Sequence, residues 1–161
     1  MEDLKTTDKT VSIRKQYLSK RAGLIRQSFG VQEFKLETFI NDIQSHEFNA
    51  TKDELMFAQC LQWMQQNLHL DAHITKLAKG FDISVRKIQR LFSFFTGKTY
   101  TTVLLEMRLD ESKKYLAELK RTIGEVAYLT GIKDHAYFTY LFRKHTGLTP
   151  SQYRLSLMKE S

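Results

Sequence analysis

Between Ser84 and Phe95 the chain carries three cations and no acid, beginning Ser84-Val85-Arg86-Lys87-Ile88-Gln89-Arg90. Arginine can grip guanine through two parallel hydrogen bonds, and glutamine can do the same for adenine. Each such pairing is worth about 1–3 kcal/mol of discrimination against a wrong base. Ser84, Arg86, Lys87, Gln89 and Arg90 are therefore candidates for contact with a nucleic acid. The competing reading is a solvated polar face, the ordinary fate of a charged run. A second set further along comprises His135, Ala136, Tyr137, Thr139 and Tyr140. It carries less charge and suits methyl contacts to thymine and single hydrogen bonds. Packing of Tyr137 and Tyr140 on neighbouring helices is the alternative. Lys98, Lys133, Arg143 and Lys144 suit phosphate, contact with which positions a protein without reading sequence.

Other chemistry is thinner. His69, Asp71 and His73 form an H-x-D-x-H string, but no thiolate or further histidine stands near it in sequence. Helix capping and solvation account for the string more simply than a metal does. Cys60 is the single cysteine, so neither an internal disulfide nor a multi-cysteine zinc site can form. It falls in an amphipathic stretch and reads as a small core residue. No cofactor, no metal and no enzymatic activity are expected.

The chain has 161 residues, 42% of them apolar, enough for a packed core. One proline and seven glycines favour helices over turns. The net charge of +7 is unevenly placed. Residues 1–54 hold nine bases and nine acids, whereas 55–161 hold sixteen and nine. A basic excess of this kind suits a polyanion, though it does not by itself identify nucleic acid. No leader-like start is present, and no apolar run approaches the roughly 18 residues of a membrane span. A cytoplasmic protein without membrane contact is expected.

Hydrophobic spacing supplies the elements that would carry these residues. Leu18, Ala22, Ile25 and Phe29 form one helical stripe between Val11 and Phe29, which Gly30 ends. Leu36, Phe39, Ile40 and Ile43 form another between Glu33 and Glu47. Thr51 and Glu54 read as a capping box opening a helix to about Leu68.

The remainder is a repeat. ITKLAKGFDISVRKIQRLFSFFTGKT, from Ile74 to Thr99, parallels IGEVAYLTGIKDHAYFTYLFRKHTGLT, from Ile123 to Thr149. Each copy has the grammar of a helix-turn-helix. Thr122 and Glu125 cap a short helix that runs through small Ala127, and Gly131 occupies a sharp turn needing positive φ. Asp82 takes the equivalent place in the first copy, a conformation aspartate tolerates. Ile88, Leu91 and Phe92 face inward in one second helix, Phe138, Leu141 and Phe142 in the other. Gly97 and Gly147 stop these helices. From about Thr99 to Leu119 a continuous helix, with Leu105, Leu109, Leu116 and Leu119 on one side, separates the copies as a rigid spacer. The fold class expected is all-α: two helix-turn-helix subdomains joined by a linker helix, with an N-terminal helical appendage. The boundaries expected are 1–50 for the appendage and 51–161 for the DNA-binding domain. Within that domain the two units fall at about 73–97 and 122–147.

These residues resemble the DNA-binding domain of the AraC/XylS family of bacterial transcription regulators. The second copy carries Ile123, Ala127, Gly131, Tyr137, Phe138, Phe142, Gly147, Thr149, Pro150, Tyr153 and Arg154 in the family's pattern. The first matches through Leu77, Ala78, Ser84, Gln89, Arg90, Leu91, Phe92 and Gly97, and the spacer holds a family-like Arg108-Leu109 pair. The likeness spans about residues 54–156. Three positions depart from it: Gly124 replaces a small alanine, Ile132 a common phenylalanine, and Tyr140 a frequent arginine. The segment before the repeat is too short for a ligand-sensing barrel, and resembles the connector preceding this domain in regulators fused to a receiver or membrane sensor.

The resemblance implies a sequence-specific activator that binds double-stranded DNA and engages RNA polymerase. Residues 11–47 would pair with a second copy or dock to a sensor. DNA-repair alkyltransferases with similar domains need several cysteines, which this chain lacks. An architectural DNA binder with little sequence preference, or the output fragment of a larger regulator, are the other readings.

Overall fold

Serine, threonine and aspartate side chains take up free backbone N–H groups at the starts of several helices, and left-handed glycines close two of them. The computed structural model describes residues 52–159. Those residues form helices α1 (Lys52–Gln66), α2 (Ile74–Gly80), α3 (Val85–Thr96), α4 (Tyr100–Ala117), α5 (Ile123–Leu129), α6 (His135–Thr146) and α7 (Pro150–Lys159), with no strand among them. The two expected N-terminal helices and the Thr51 half of the first capping box lie outside the described residues. So does the N-terminal appendage as a whole.

The pairs α2–α3 and α5–α6 are the two helix-turn-helix units, and their likeness extends to single hydrogen bonds. Ile83 N–H donates to the Ala78 carbonyl at 3.0 Å, and Ile132 N–H donates to the Ala127 carbonyl at the same distance. Asp82 has φ 51° and Gly131 φ 78°, so both turns pass through the left-handed region at matching positions. The Thr96 hydroxyl donates to the Phe92 carbonyl, just as Thr146 does to Phe142. Gly97 (φ 70°) and Gly147 (φ 81°) then end α3 and α6. At the head of α5 the Thr122–Glu125 capping box is complete in both directions.

Each unit has its own core. Phe57, Leu61 and Met64 of α1 pack with Leu77, Ile88, Leu91, Phe92 and Phe95. Phe57 stacks on Phe95 at 4.8 Å and meets Phe92 edge-on at 5.1 Å. The second core joins Val126, Ala127, Ile132, Phe138, Leu141 and Phe142, with Tyr153 of α7 edge-on to Phe142.

Helix α4 is more than a spacer. Its first turns bury Tyr100, Val103 and Leu104 in the first core, and its later turns bury Leu109 and Leu116 in the second. The Tyr100 hydroxyl also donates to the Ala72 carbonyl at 2.8 Å. One expectation needs correction: Leu119 is 57% exposed and does not join the buried stripe. The helix stops at Ala117, so Leu119 stands two residues past its end and out of register.

Candidate nucleic-acid interface

Burial of one face decides which side chains α3 can offer. With Ile88, Leu91 and Phe92 inward, Arg86, Gln89 and Arg90 stand exposed on the outer face. Ser84 is exposed as well, but its hydroxyl is occupied as the N-cap, accepting from Lys87 N–H at 3.1 Å. Val85 is half-buried against the first core. Lys87 turns sideways, and its ammonium pairs with Asp53 in the first turn of α1.

On α6 the same logic exposes His135, Ala136, Tyr137, Tyr140, Arg143 and Lys144, with Lys133 exposed in the turn before them. Tyr137 and Tyr140 are 55% and 60% exposed, so their rings are not fillers of the adjacent core. Thr139 is half-buried and its hydroxyl donates to the His135 carbonyl at 3.0 Å. Arg86, Arg90, Lys133, Arg143 and Lys144 have no carboxylate within 4 Å among the described residues. Lys98 differs, since it reaches both carboxylate oxygens of Glu106 at 2.8 Å.

The H-x-D-x-H string serves local structure. The His73 ring caps α2, accepting from Thr75 N–H, and Asp71 pairs with Lys76 at 3.1 Å. The hydrogen bond from Lys76 holds the Asp71 carboxyl below the usual range. Among the described residues no three His, Cys, Asp or Glu side chains are grouped as metal ligands. Cys60 is fully buried, and burial pushes its thiol up to about 11.

Three side chains that shape this surface have roles not assigned from the sequence, although Arg108 stood there within a family-like pair. Asp134 caps α6, accepting from Tyr137 N–H at 2.7 Å, and so fixes how the second exposed set begins. An aspartate just before a polar helical run is a recognisable cap, which could have marked it. Asp53 could not be linked to Lys87, because the pair spans 34 positions. Arg108 of α4 donates to the carbonyls of Leu68 at 2.9 Å and Leu70 at 2.8 Å. Beside it lies a cleft of about 480 Å³ between α4 and the second turn, lined by Thr101, Thr102, Lys133 and Tyr137 among others.

The architecture is that of a double helix-turn-helix domain, and comparison with known proteins agrees. Residues 77–156 match a family model described as a helix-turn-helix domain. The HTH-type transcriptional activator RhaS of Mannheimia succiniciproducens is 25% identical over 142 residues, covering 86% of this chain and 53% of that protein. The "Probable transcription factor PqrA" of Proteus vulgaris is 31% identical over 96 residues, 58% of this chain and 79% of that protein. Among solved structures, the DNA-binding domain of the global transcriptional factor AdpA, in complex with a target DNA, superposes with a TM-score of 0.60. It is 24% identical, and the match covers 65% of this chain and 94% of that one. The chain belongs to the AraC/XylS family of helix-turn-helix transcription regulators. It spans about half the length of the curated relatives it matches first.

Proposed function

We propose that this chain binds double-stranded DNA sequence-specifically and regulates transcription, as an activator, by reading two adjacent major-groove segments. The observation that carries this reading is the pair of second helices, α3 and α6. Each buries one face in its own core and leaves a polar face of base-reading and phosphate-binding types exposed. In a helix-turn-helix that second helix enters the major groove. Arg86, Gln89 and Arg90 are the base readers of the first unit, with Ser84 orienting their helix. Lys87 flanks them on the side of α1. His135, Ala136, Tyr137, Thr139 and Tyr140 form the second reading surface, and Lys133, Arg143 and Lys144 contact phosphate.

Helix α4 has 18 residues and is therefore about 27 Å long at 1.5 Å per residue. That length approaches the roughly 34 Å between successive major grooves on one face of the duplex. One chain can then span both, and the unlike side chains of the two units make its site asymmetric. The test is a footprint of a verified monomer–DNA complex, repeated with Arg90→Ala and with Tyr137→Ala. Each change should disturb a separate segment, with centres about 10 base pairs apart. Disturbance of one shared segment, or an obligatory palindrome, would sink the two-segment reading. A consensus selected from random duplexes separates this reading from an architectural binder, which would yield none.

The partners proposed are DNA and RNA polymerase, in the cytoplasm. The match to RhaS, itself named an activator, supports the sign of regulation, and it is longer than the stretch from Thr51 to Ser161. It therefore takes in part of the N-terminal segment, and the amphipathic stripes in the sequence of residues 11–47 support a connector role toward a sensor or a second copy. The chain acts by binding, without catalysis. The protonated, inaccessible thiol of Cys60 is unsuited to nucleophilic chemistry. No described helix is long and apolar enough to cross a membrane.

A further inference from the structure

We infer that Asp53 sets the DNA affinity of this chain by holding Lys87 in an intramolecular ion pair, which removes one cation from the first recognition surface. The inference rests on the DNA-binding reading above. Lys87 lies in the first turn of α3, between Arg86 and Gln89, yet only 27% of its side chain is exposed. Asp53 is 49% exposed and stands in the first turn of α1, beside the start of α3. Of the lysines and arginines on α3 and α6, Lys87 is the one with a carboxylate within 4 Å among the described residues.

The pairing has two consequences for a polyanion approaching α3. A lysine neutralised in place releases no counterion when phosphate arrives, so it adds nothing to the salt-dependent part of binding. A half-exposed carboxylate beside a DNA-facing helix would repel phosphate, and Lys87 cancels that charge. The pair therefore leaves Arg86, Gln89 and Arg90 to dominate, which favours discrimination between sequences over general affinity. Removing the carboxylate frees one cation and shifts that balance.

The experiment uses the full 161-residue chain, a duplex selected from a random pool, and a scrambled duplex of equal length. Binding is followed by fluorescence anisotropy over a range of salt concentrations, with circular dichroism melts on every variant. Asp53→Asn should tighten binding to both duplexes several-fold at low salt. It should also steepen the slope of log K against log salt by about 0.9, the increment for one more neutralised phosphate. Asp53→Glu should keep the native slope, and the double variant Asp53→Asn/Lys87→Ala should return to it. Asp53→Ser carries the same expectation as Asp53→Asn where the amide perturbs folding. A folded Asp53→Asn or Asp53→Ser protein with native affinity and native slope overturns the inference while leaving the DNA-binding reading intact. A native chain that binds no duplex from the pool overturns both.

Discussion

A Cβ placed on Gly131 would stand 2.5 Å from the carbonyl oxygen of Leu68 and 3.0 Å from a guanidinium nitrogen of Arg108. The turn of the second unit is thus pressed against the chain just past α1, and Arg108 bonds that same carbonyl from the side. Gly131 serves two demands at once, a positive φ and a close backbone approach.

Gly131→Ala should therefore cost more stability than Gly147→Ala. Both positions have positive φ, but nothing lies within 4 Å of a Cβ at Gly147. Strain of this backbone type costs about 1–3 kcal/mol, and at Gly131 the clash with Leu68 adds to it. Chemical denaturation of the two variants checks the order. Equal losses would mean that the approach to Leu68 is unimportant.

Arg108→Ala removes two charge-assisted hydrogen bonds to the Leu68 and Leu70 carbonyls. Bonds of this class contribute about 1.5–3 kcal/mol each, and the carbonyls can recover part of that from water. The cores of the two units are separate, so the larger effect should fall on the junction between them. We expect a moderate loss of stability and a larger loss of affinity for a duplex containing both half-sites. Affinity for a single half-site should change little, which makes the ratio of the two the informative measurement.

Arg90→Ala should cost about 1–3 kcal/mol in binding and relax the preference at one base position. Lys144→Ala should weaken binding evenly across sequences and reduce its salt dependence. Repeating the random-duplex selection with each variant distinguishes them. An unchanged consensus for Arg90→Ala would remove it from the base-reading set.

Acid should weaken the α4–α6 contact through Asp110. Burial raises the pKa of its carboxyl, but hydrogen bonds to His145 at 3.2 Å and Lys113 at 2.7 Å outweigh that and lower it overall. A carboxyl lowered in the folded state contributes stability that is present above its unfolded value of about 3.9. That contribution is lost as pH falls through the lower folded value. Asp110→Asn should thus be less stable than the native chain near neutrality, with the gap closing below about pH 4. Thermal melts across that range measure it, and a gap independent of pH would assign the effect to packing.

Much of the architecture can be read from local pattern alone. The Thr122–Glu125 box, the stop at Gly147 and the left-handed places of Asp82 and Gly131 each depend on residues within a few positions. The inward faces of α3 and α6 follow from a 3.6-residue period. The same period separates Arg86, Gln89 and Arg90 from Ile88 and Leu91, so their exposure is legible too. Leu119 escaped because periodicity does not mark where a helix ends. The exposure of Tyr137 and Tyr140 could not be settled from the chain, since an aromatic ring on a helix suits a core as well as a groove.

The pairings across the fold lie beyond any such reading. Lys87 with Asp53, and Arg108 with Leu68 and Leu70, join positions that become neighbours only after the helices have packed. Residue type announces a charge, but whether that charge faces solvent or is neutralised depends on which helix lies alongside. The amino-acid sequence by itself thus determined the helices, the two turns and the outward polar faces, because these arise from local backbone geometry and short-range burial. Which cations remain available to a partner, and how closely the two units are held together, was decided by tertiary packing, because electrostatic pairing depends on distance in space rather than along the chain.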